Sequence, residues 1–366
     1  MHVLVTDAVP MNGGDELLLR ALVQALSSRW PSSSIVVMTH AVDASRRLMP
    51  DLQFVGDLSV TPDTARRRYE RADIVISTPG GFLNRHYGLE GRLRGFALAA
   101  ALGRRLVLFA QSIGPFGSDE EHRVVGEALR GASLVAVRDA VSRRHLAQCG
   151  IEGTRVVQVP DAAFLWPHAD CVKNQDHRRP VRRVGLCLRR WPRKDATAFR
   201  ETVRKTRRLM RYLAGRGVQE FVFASTCQGV DGYVDDSELS ARVLVGLEPD
   251  LAARTQVTTQ RHHPADYMAL VSRCDVFIGM RLHGCLMAML AGTPAIGLAY
   301  ETKTPEIFGQ LGLGRFQLPF TSTASRWAQV AGTMLDEIAA VRADLPTRVA
   351  DQSARATGSL ALLDAR

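Results

Sequence analysis

The stretch "DVFIGMRLHGCLMAMLAGTPAIGLAY", Asp275–Tyr300, decides the fold class. "DVFIGMR" reads as a strand, "LHGCLMAMLAGT" as a helix and "PAIGLAY" as a second strand. A helix between two strands carries the chain back to its starting side, so the strands run parallel. Their short apolar runs do not alternate, the pattern of a sheet covered on both faces. The same rhythm extends outward. On the N-terminal side come the strand "VGLCLRRW", a long amphipathic helix "DATAFRETVRKTRRLMRYLAGRG" and the strand "QEFVFASTC"; on the C-terminal side lies the helix "TPEIFGQLGL". The first half repeats the scheme, from "HVLVTDA" through "SIVVMTH", "ADIVISTPGG", "RLVLFAQSIGPF" and "SLVAVRD" to "RVVQVPDAAFLW".

Between the halves, "PHADCVKNQDHRRPVRR" is polar and carries two prolines, as a linker does. The expected organisation is an N-terminal Rossmann-like domain over 1–167, a linker over 168–183, a C-terminal Rossmann-like domain over 184–345 and a helical tail over 346–366. The fold class is thus α/β: two Rossmann-like domains in tandem, with a cleft between them. A chain of 366 residues suits two such domains.

Composition narrows the function classes. The net charge of +10 favours anionic ligands or an anionic membrane surface. The basic runs "ARRRYER" and "HRRPVRR" lack interleaved aromatics on which bases would stack, which argues against nucleic acid. Apolar runs are too short or too interrupted by arginine to span a membrane, and "MHVLVTDAVP" reads as a first strand rather than a signal peptide. The six cysteines form no CxxC pair and mostly sit in apolar runs, so they read as reduced core residues without a zinc site. The expected setting is cytoplasmic, with peripheral contact at the inner face of a membrane left open, as is the oligomeric state.

Ligands of parallel sheets bind at the carboxyl ends of strands, beside helix N-termini. Five loops fall there. "MNGGDELLL" places Asn12, Gly13 and Gly14 before a helix that begins with Asp15 and Glu16; the glycines admit close approach, while the acids alone suit the helix dipole. "STPGGFLN" offers Gly80 and Gly81, either a ligand loop or a tight turn. "AQSIGPF" offers Gln111 and Ser112 for sugar hydroxyls or for the loop's own backbone. "GLCLRRW" ends in Arg189 and Arg190, of which strand alternation turns one toward a ligand and its neighbour away. Its guanidinium fork matches carboxylate or phosphate. Finally, Arg281 and His283 end one strand while Tyr300 and Lys303 end the next, so a guanidinium, an imidazole, a phenol and an ammonium converge. No metal-ligand cluster is evident, and no cofactor is expected.

Taken in order, "NGGDE", "STPGGFLN", "AQSIGPF", "VRDAVSRRHL", "VPDAAFL", "LCLRRW" and "MRLHG…AGTPAIGLAYETK" resemble the polysaccharide pyruvyl transferase family, from about residue 10 to residue 315. One departure is Pro79 before the glycine pair. The resemblance implies a fold similar to the two-domain GT-B glycosyltransferases. It implies transfer of a pyruvyl group from phosphoenolpyruvate to hydroxyls of a glycan or lipid-linked glycan, forming a ketal and releasing phosphate. Arg189, Arg281, Leu282 and His283 match the family's donor-binding positions, with His283 in proton transfer; Tyr300 and Lys303 match the pattern downstream. Asn12, Gly13, Gly80, Gly81, Gln111 and Ser112 become acceptor-side candidates. A carboxylate should assist the attacking hydroxyl, with Asp15, Glu16 and Asp161 as candidates and Asp15 taken as catalytic. Two other readings stand beside this one. A GT-B glycosyltransferase using a nucleotide sugar would have Glu301 as its ribose-binding acid. A non-catalytic glycan-binding member would have kept the fold alone. The acidic stretch "DGYVDDSE" reads as a solvated loop.

Overall fold

The computed structural model describes residues 1–167, 177–192 and 195–364. The chain divides into two compact units. The first comprises Met1–Met11, Asp15–Pro167 and Gln352–Arg366, and the second Asn12–Gly14 and His168–Asp351.

The first unit is built on eight strands: β1 (His2–Thr6), β2 (Ser34–Thr39), β3 (Phe54–Gly56), β4 (Ile74–Ser77), β5 (Gly80–Leu83), β6 (Arg105–Ile113), β7 (Ala132–Val137) and β8 (Val156–Gln158). They pair in the order β3-β2-β1-β4-β6-β7-β8, with β5 added to β6, and every pair is parallel. The order reverses between β1 and β4, which makes their carboxyl ends the topological switch point. β1 from Val3 onward and all of β4 are buried, as the uninterrupted apolar runs require. Phe96, Leu106, Leu108 and Val135 belong to the core beneath the helices on one face.

The second unit carries β9 (Arg183–Cys187), β10 (Glu220–Phe223), β11 (Thr255–Val257), β12 (Val276–Gly279), β13 (Ala295–Ala299) and β14 (Gln317–Pro319). Their order is β11-β10-β9-β12-β13-β14, again all parallel, with the switch point between β9 and β12. A Cβ on Gly185 of β9 would lie 2.6 Å from the Phe277 ring of β12 and 3.1 Å from Cys274 Sγ, so any larger residue would displace that buried ring. The helix Ala196–Gly215 starts where Asp195 accepts from the backbone N–H groups of Thr197 and Ala198 at 2.8 and 2.9 Å. The helix Leu282–Leu290 after β12 is buried almost all round, as its "LMAML" run demands.

Two expectations need revision. "STPGG" is not a strand ending in a glycine loop: Gly80 and Gly81 start β5, which adds its own hydrogen bonds to β6. The tail over 346–366 is not a separate element. One helix, Ile338–Ser359, runs through Pro346, and the division between units falls within it, after Asp351. Proline interrupts a helix only through its missing N–H and its ring clash, and here the helix tolerates both. The linker over 168–183 lies partly outside the described residues, and β9 already begins at Arg183.

Candidate active site

The carboxyl ends of β9, β12 and β13 bring the predicted donor-side residues together. The register aligns Cys187 of β9 with Gly279 of β12, and Gly279 with Gly297 of β13. Arg189 and Arg281 each follow their aligned residue by two positions, so they flank the switch point at the same level. Tyr300 follows at the end of β13.

Arg189 is 4% exposed. Its guanidinium lies 4.7 Å from the ring centre of Trp191 and 4.4 Å from that of Tyr300, and its Nη1 donates to the Tyr300 hydroxyl. The rings themselves meet at 5.2 Å. Two tilted aromatic rings thus pack against one cation, a contact that suits the delocalised guanidinium. Arg190 turns the other way and packs over Phe199, 5.1 Å from its ring centre, as strand alternation requires.

Arg281 precedes the helix Leu282–Leu290 and donates from Nε to Asp236 Oδ2 at 2.8 Å. The same carboxylate oxygen accepts from Ser225 Oγ at 2.7 Å. Burial disfavours the Arg281 charge, yet the Asp236 carboxylate outweighs it and holds the guanidinium protonated, well above the ordinary arginine range. Arg281 Nη2 is buried without a hydrogen-bond partner among the described residues, and so is Asp236 Oδ1. A guanidinium nitrogen without a protein partner beside the switch point can donate to a ligand there.

Asp236 belongs to the acidic stretch read from sequence as a solvated loop, and the structure corrects that reading: its side chain is wholly buried. Asp235 supplies the helix-start bond, accepting from Ser237 N at 2.8 Å, which leaves Asp236 to turn inward. The available signal was a second, redundant carboxylate at a helix start, in a chain with an arginine ending an apolar strand.

His283 lies half-buried in the first turn of the helix Leu282–Leu290, with Leu282 buried before it. The Asn12–Gly14 segment packs against it. A Cβ on Gly14 would lie 2.9 Å from both Cβ and Nδ1 of His283. Asn12 Oδ1 accepts from Gly14 N at 2.9 Å, and Gly13 N donates to Thr226 O at 2.6 Å, so the tripeptide is fixed from both ends. The glycine loop predicted on the acceptor side is therefore a wall of the histidine's surroundings. Lys303 opens the helix Lys303–Gln310 and its Nζ lies 2.5 Å from Glu301 Oε2. Glu301, the ribose candidate, is thus that ammonium's counter-ion.

The remaining candidates belong to the first unit, and most are engaged in its interior. Gln111 is 1% exposed within β6 and donates to Ser77 Oγ and Thr78 O. Ser112 accepts from Arg138 Nε at 2.8 Å and donates to Asp139. Asp161 and Arg138 form a fully buried pair at 2.6 Å. Glu16 is fully buried against Arg20 at 2.8 Å. Asp15 is half-buried in the first turn of the helix Gly13–Arg29. Among the described residues, no group of His, Cys, Asp or Glu side chains is arranged to hold a metal ion, and no helix is long and apolar enough to cross a membrane. Five cysteines carry free thiols, four of them buried; Cys171 lies outside the described residues.

Comparison with known proteins follows the same lines. A family model described as polysaccharide pyruvyl transferase matches residues 12–302. The amylovoran biosynthesis protein AmsJ of Erwinia amylovora is 24% identical over 353 residues, covering 82% of this chain and 84% of that protein. Among solved structures, HepE of Anabaena in complex with UDP-glucose superposes with a TM-score of 0.66 at 16% identity, covering 100% of this chain and 98% of that one. A glycosyltransferase from Rickettsia africae does so at 0.63 and 11% identity, covering 100% and 99%. At such identities the structural likeness shows the fold, which is GT-B-like, with two Rossmann-like units.

Proposed function

The chain belongs to the polysaccharide pyruvyl transferase family, and on that premise we propose that its second unit binds phosphoenolpyruvate and transfers the pyruvyl group to two hydroxyls of a glycan acceptor as a ketal. The observation that carries this reading is the pair of arginines at the switch point, one packed against two aromatic rings and one with a buried nitrogen that has no partner among the described residues. Phosphoenolpyruvate presents a carboxylate and a phosphate on one small framework. Two fixed guanidinium forks match that pair of anions, and a single cation would not.

In this reading His283 donates a proton to the terminal vinyl carbon, and positive character develops on the carbon bearing the phosphate. Histidine is the side chain whose ordinary titration lies nearest neutrality, which suits a general acid. The first acceptor hydroxyl bonds to that carbon, phosphate leaves, and the second hydroxyl closes the ketal. The two hydroxyl protons restore the histidine and protonate the departing phosphate. Asp15 is retained as the carboxylate that assists the hydroxyl. No cofactor enters this sequence, and the acceptor is a glycan or lipid-linked glycan.

Melting midpoints test the donor assignment. Phosphoenolpyruvate at a hundredfold excess over its Kd should stabilise the protein by about 2.7 kcal/mol. Arg189→Lys loses the planar fork and both ring contacts, so the same concentration should leave the midpoint nearly unmoved. A shift with UDP-glucose and none with phosphoenolpyruvate would favour the nucleotide-sugar reading instead.

A further inference from the structure

A cavity of about 380 Å³ opens at the carboxyl ends of β1, β2 and β3 in the first unit, lined by Asp7, Asp57, Ser59, Tyr87, Arg92 and Arg94 among others. It lies wholly within the first unit. Ligand crevices of parallel sheets form at this place, and the volume is at the small end for ligand pockets.

Asp7 is the residue after β1, and its backbone sits in the left-handed region at φ 64°. Aspartate tolerates that region better than most residues, and the turn re-aims its side chain into the cavity wall. Oδ2 accepts from Ser77 Oγ at 2.7 Å and from Thr6 Oγ1 at 3.0 Å, tying it to the end of β4. Burial pushes the carboxyl upward, against its hydrogen bond from Ser77 and the charge of Arg92. Asp57 holds the next loop, accepting from Ser59 N at 2.9 Å. Arg92 donates to the carbonyls of Tyr87 and Gly88 at 3.3 and 3.0 Å, which fixes the Tyr87 loop; the ring itself is 49% exposed.

The carboxylates of Asp7, Asp57 and Glu90 line the cavity beside Arg92 and Arg94, and Arg92 Nη1 is already bonded to backbone carbonyls. Sugar hydroxyls suit such a mixed set, because they donate to carboxylates and accept from guanidinium N–H groups. An exposed ring held by a fixed loop offers an apolar face to the C–H side of a sugar. We propose that this cavity binds a neutral pyranose, its hydroxyls donating to Asp7 and Asp57 and its apolar face resting on Tyr87. That the pyranose is the transferase acceptor rests on the function proposed above; that a sugar binds does not.

Saturation-transfer NMR with methyl β-galactopyranoside, methyl α-glucopyranoside and methyl β-mannopyranoside tests this on the full chain. At least one should show transfer, and Asp7→Asn, Asp57→Asn and Tyr87→Ala should each weaken its Kd by about tenfold or more. Asparagine also tolerates the left-handed backbone, so Asp7→Asn keeps the turn, and a melting curve confirms that each variant is folded. No transfer from any glycoside, or transfer unchanged in all three variants, overturns the proposal. The melting shift with phosphoenolpyruvate is read in parallel. Sugar binding without that shift would sink the donor reading and leave this site standing, and the reverse result would do the opposite.

Discussion

Asp236 offers the most demanding test of how the donor site is built. Its carboxylate is wholly buried and bonds both Arg281 Nε at 2.8 Å and Ser225 Oγ at 2.7 Å. Arg281 is itself only 13% exposed at its side chain, so water replaces the lost partner only in small part. Removing one member of a buried pair costs about 3–5 kcal/mol, and the residual exposure points to the lower end, about 3 kcal/mol, for Asp236→Ala. For a unit of this size that is a fall in melting midpoint of about 6–12 °C. Asp236→Asn keeps an oxygen for Nε but loses the charge, so its cost should be about 1–2 kcal/mol. Affinity for phosphoenolpyruvate separates orientation from charge. If Asp236 aims the fork, affinity should fall in the order wild type, Asn, Ala, with about a tenfold or greater loss in the last, or ~1.4 kcal/mol. Calorimetric titration with phosphoenolpyruvate reads it. An alanine variant that binds as tightly as wild type, or more tightly, would refute the argument: Asp236 would then only offset a charge, and Arg281 would need no aiming.

Three other outcomes follow from the same geometry. His283→Ala should lower kcat by about a hundredfold or more while the melting shift with phosphoenolpyruvate persists, since the acid is lost and the arginines remain; turnover near wild type in a phosphate-release assay would remove His283 from the chemistry. Gly14→Ala drives a Cβ to 2.9 Å from the imidazole, so the ring must shift; kcat should drop about tenfold with little change in urea midpoint, and unchanged kcat would show that ring position is immaterial. The raised Asp7 carboxyl means the folded state holds its proton more tightly than the unfolded chain does, where the ordinary value is 3.8. That contribution to stability is full below the unfolded value and is lost as pH rises through the folded one. Asp7→Asn lacks it, so its urea midpoint should gain on wild type as pH rises above the ordinary carboxyl value; a difference that does not change with pH would contradict the shift.

Much of the fold was legible because buried parallel strands announce themselves as short apolar runs. "VIS", "VLFA" and "FIG" all proved to be central strands. β5 was missed because a glycine pair after proline has the composition of a turn, and only pairing with β6 makes it a strand. Arg189, Arg281, His283 and Tyr300 were legible as strand-end residues, since parallel topology dictates where such ends gather. Asp236 was not. Its burial depends on Asp235 taking the helix start, and the sequence hinted at this only through a second, redundant carboxylate there. Asp7 escaped notice for a related reason. It follows β1 as one acid in a short polar turn, and its importance comes from Ser77, seventy residues away.

The central claim is that this protein protonates the vinyl carbon of phosphoenolpyruvate and delivers the resulting carbon to a pair of acceptor hydroxyls. Turnover in deuterium oxide with an extract of glycan acceptors tests it most directly, reading phosphate release together with mass and NMR spectra of the product. The account predicts stoichiometric phosphate and a ketal whose methyl group carries one deuterium. A product whose methyl carries no deuterium, or a glycan modified without consumption of phosphoenolpyruvate, would contradict it.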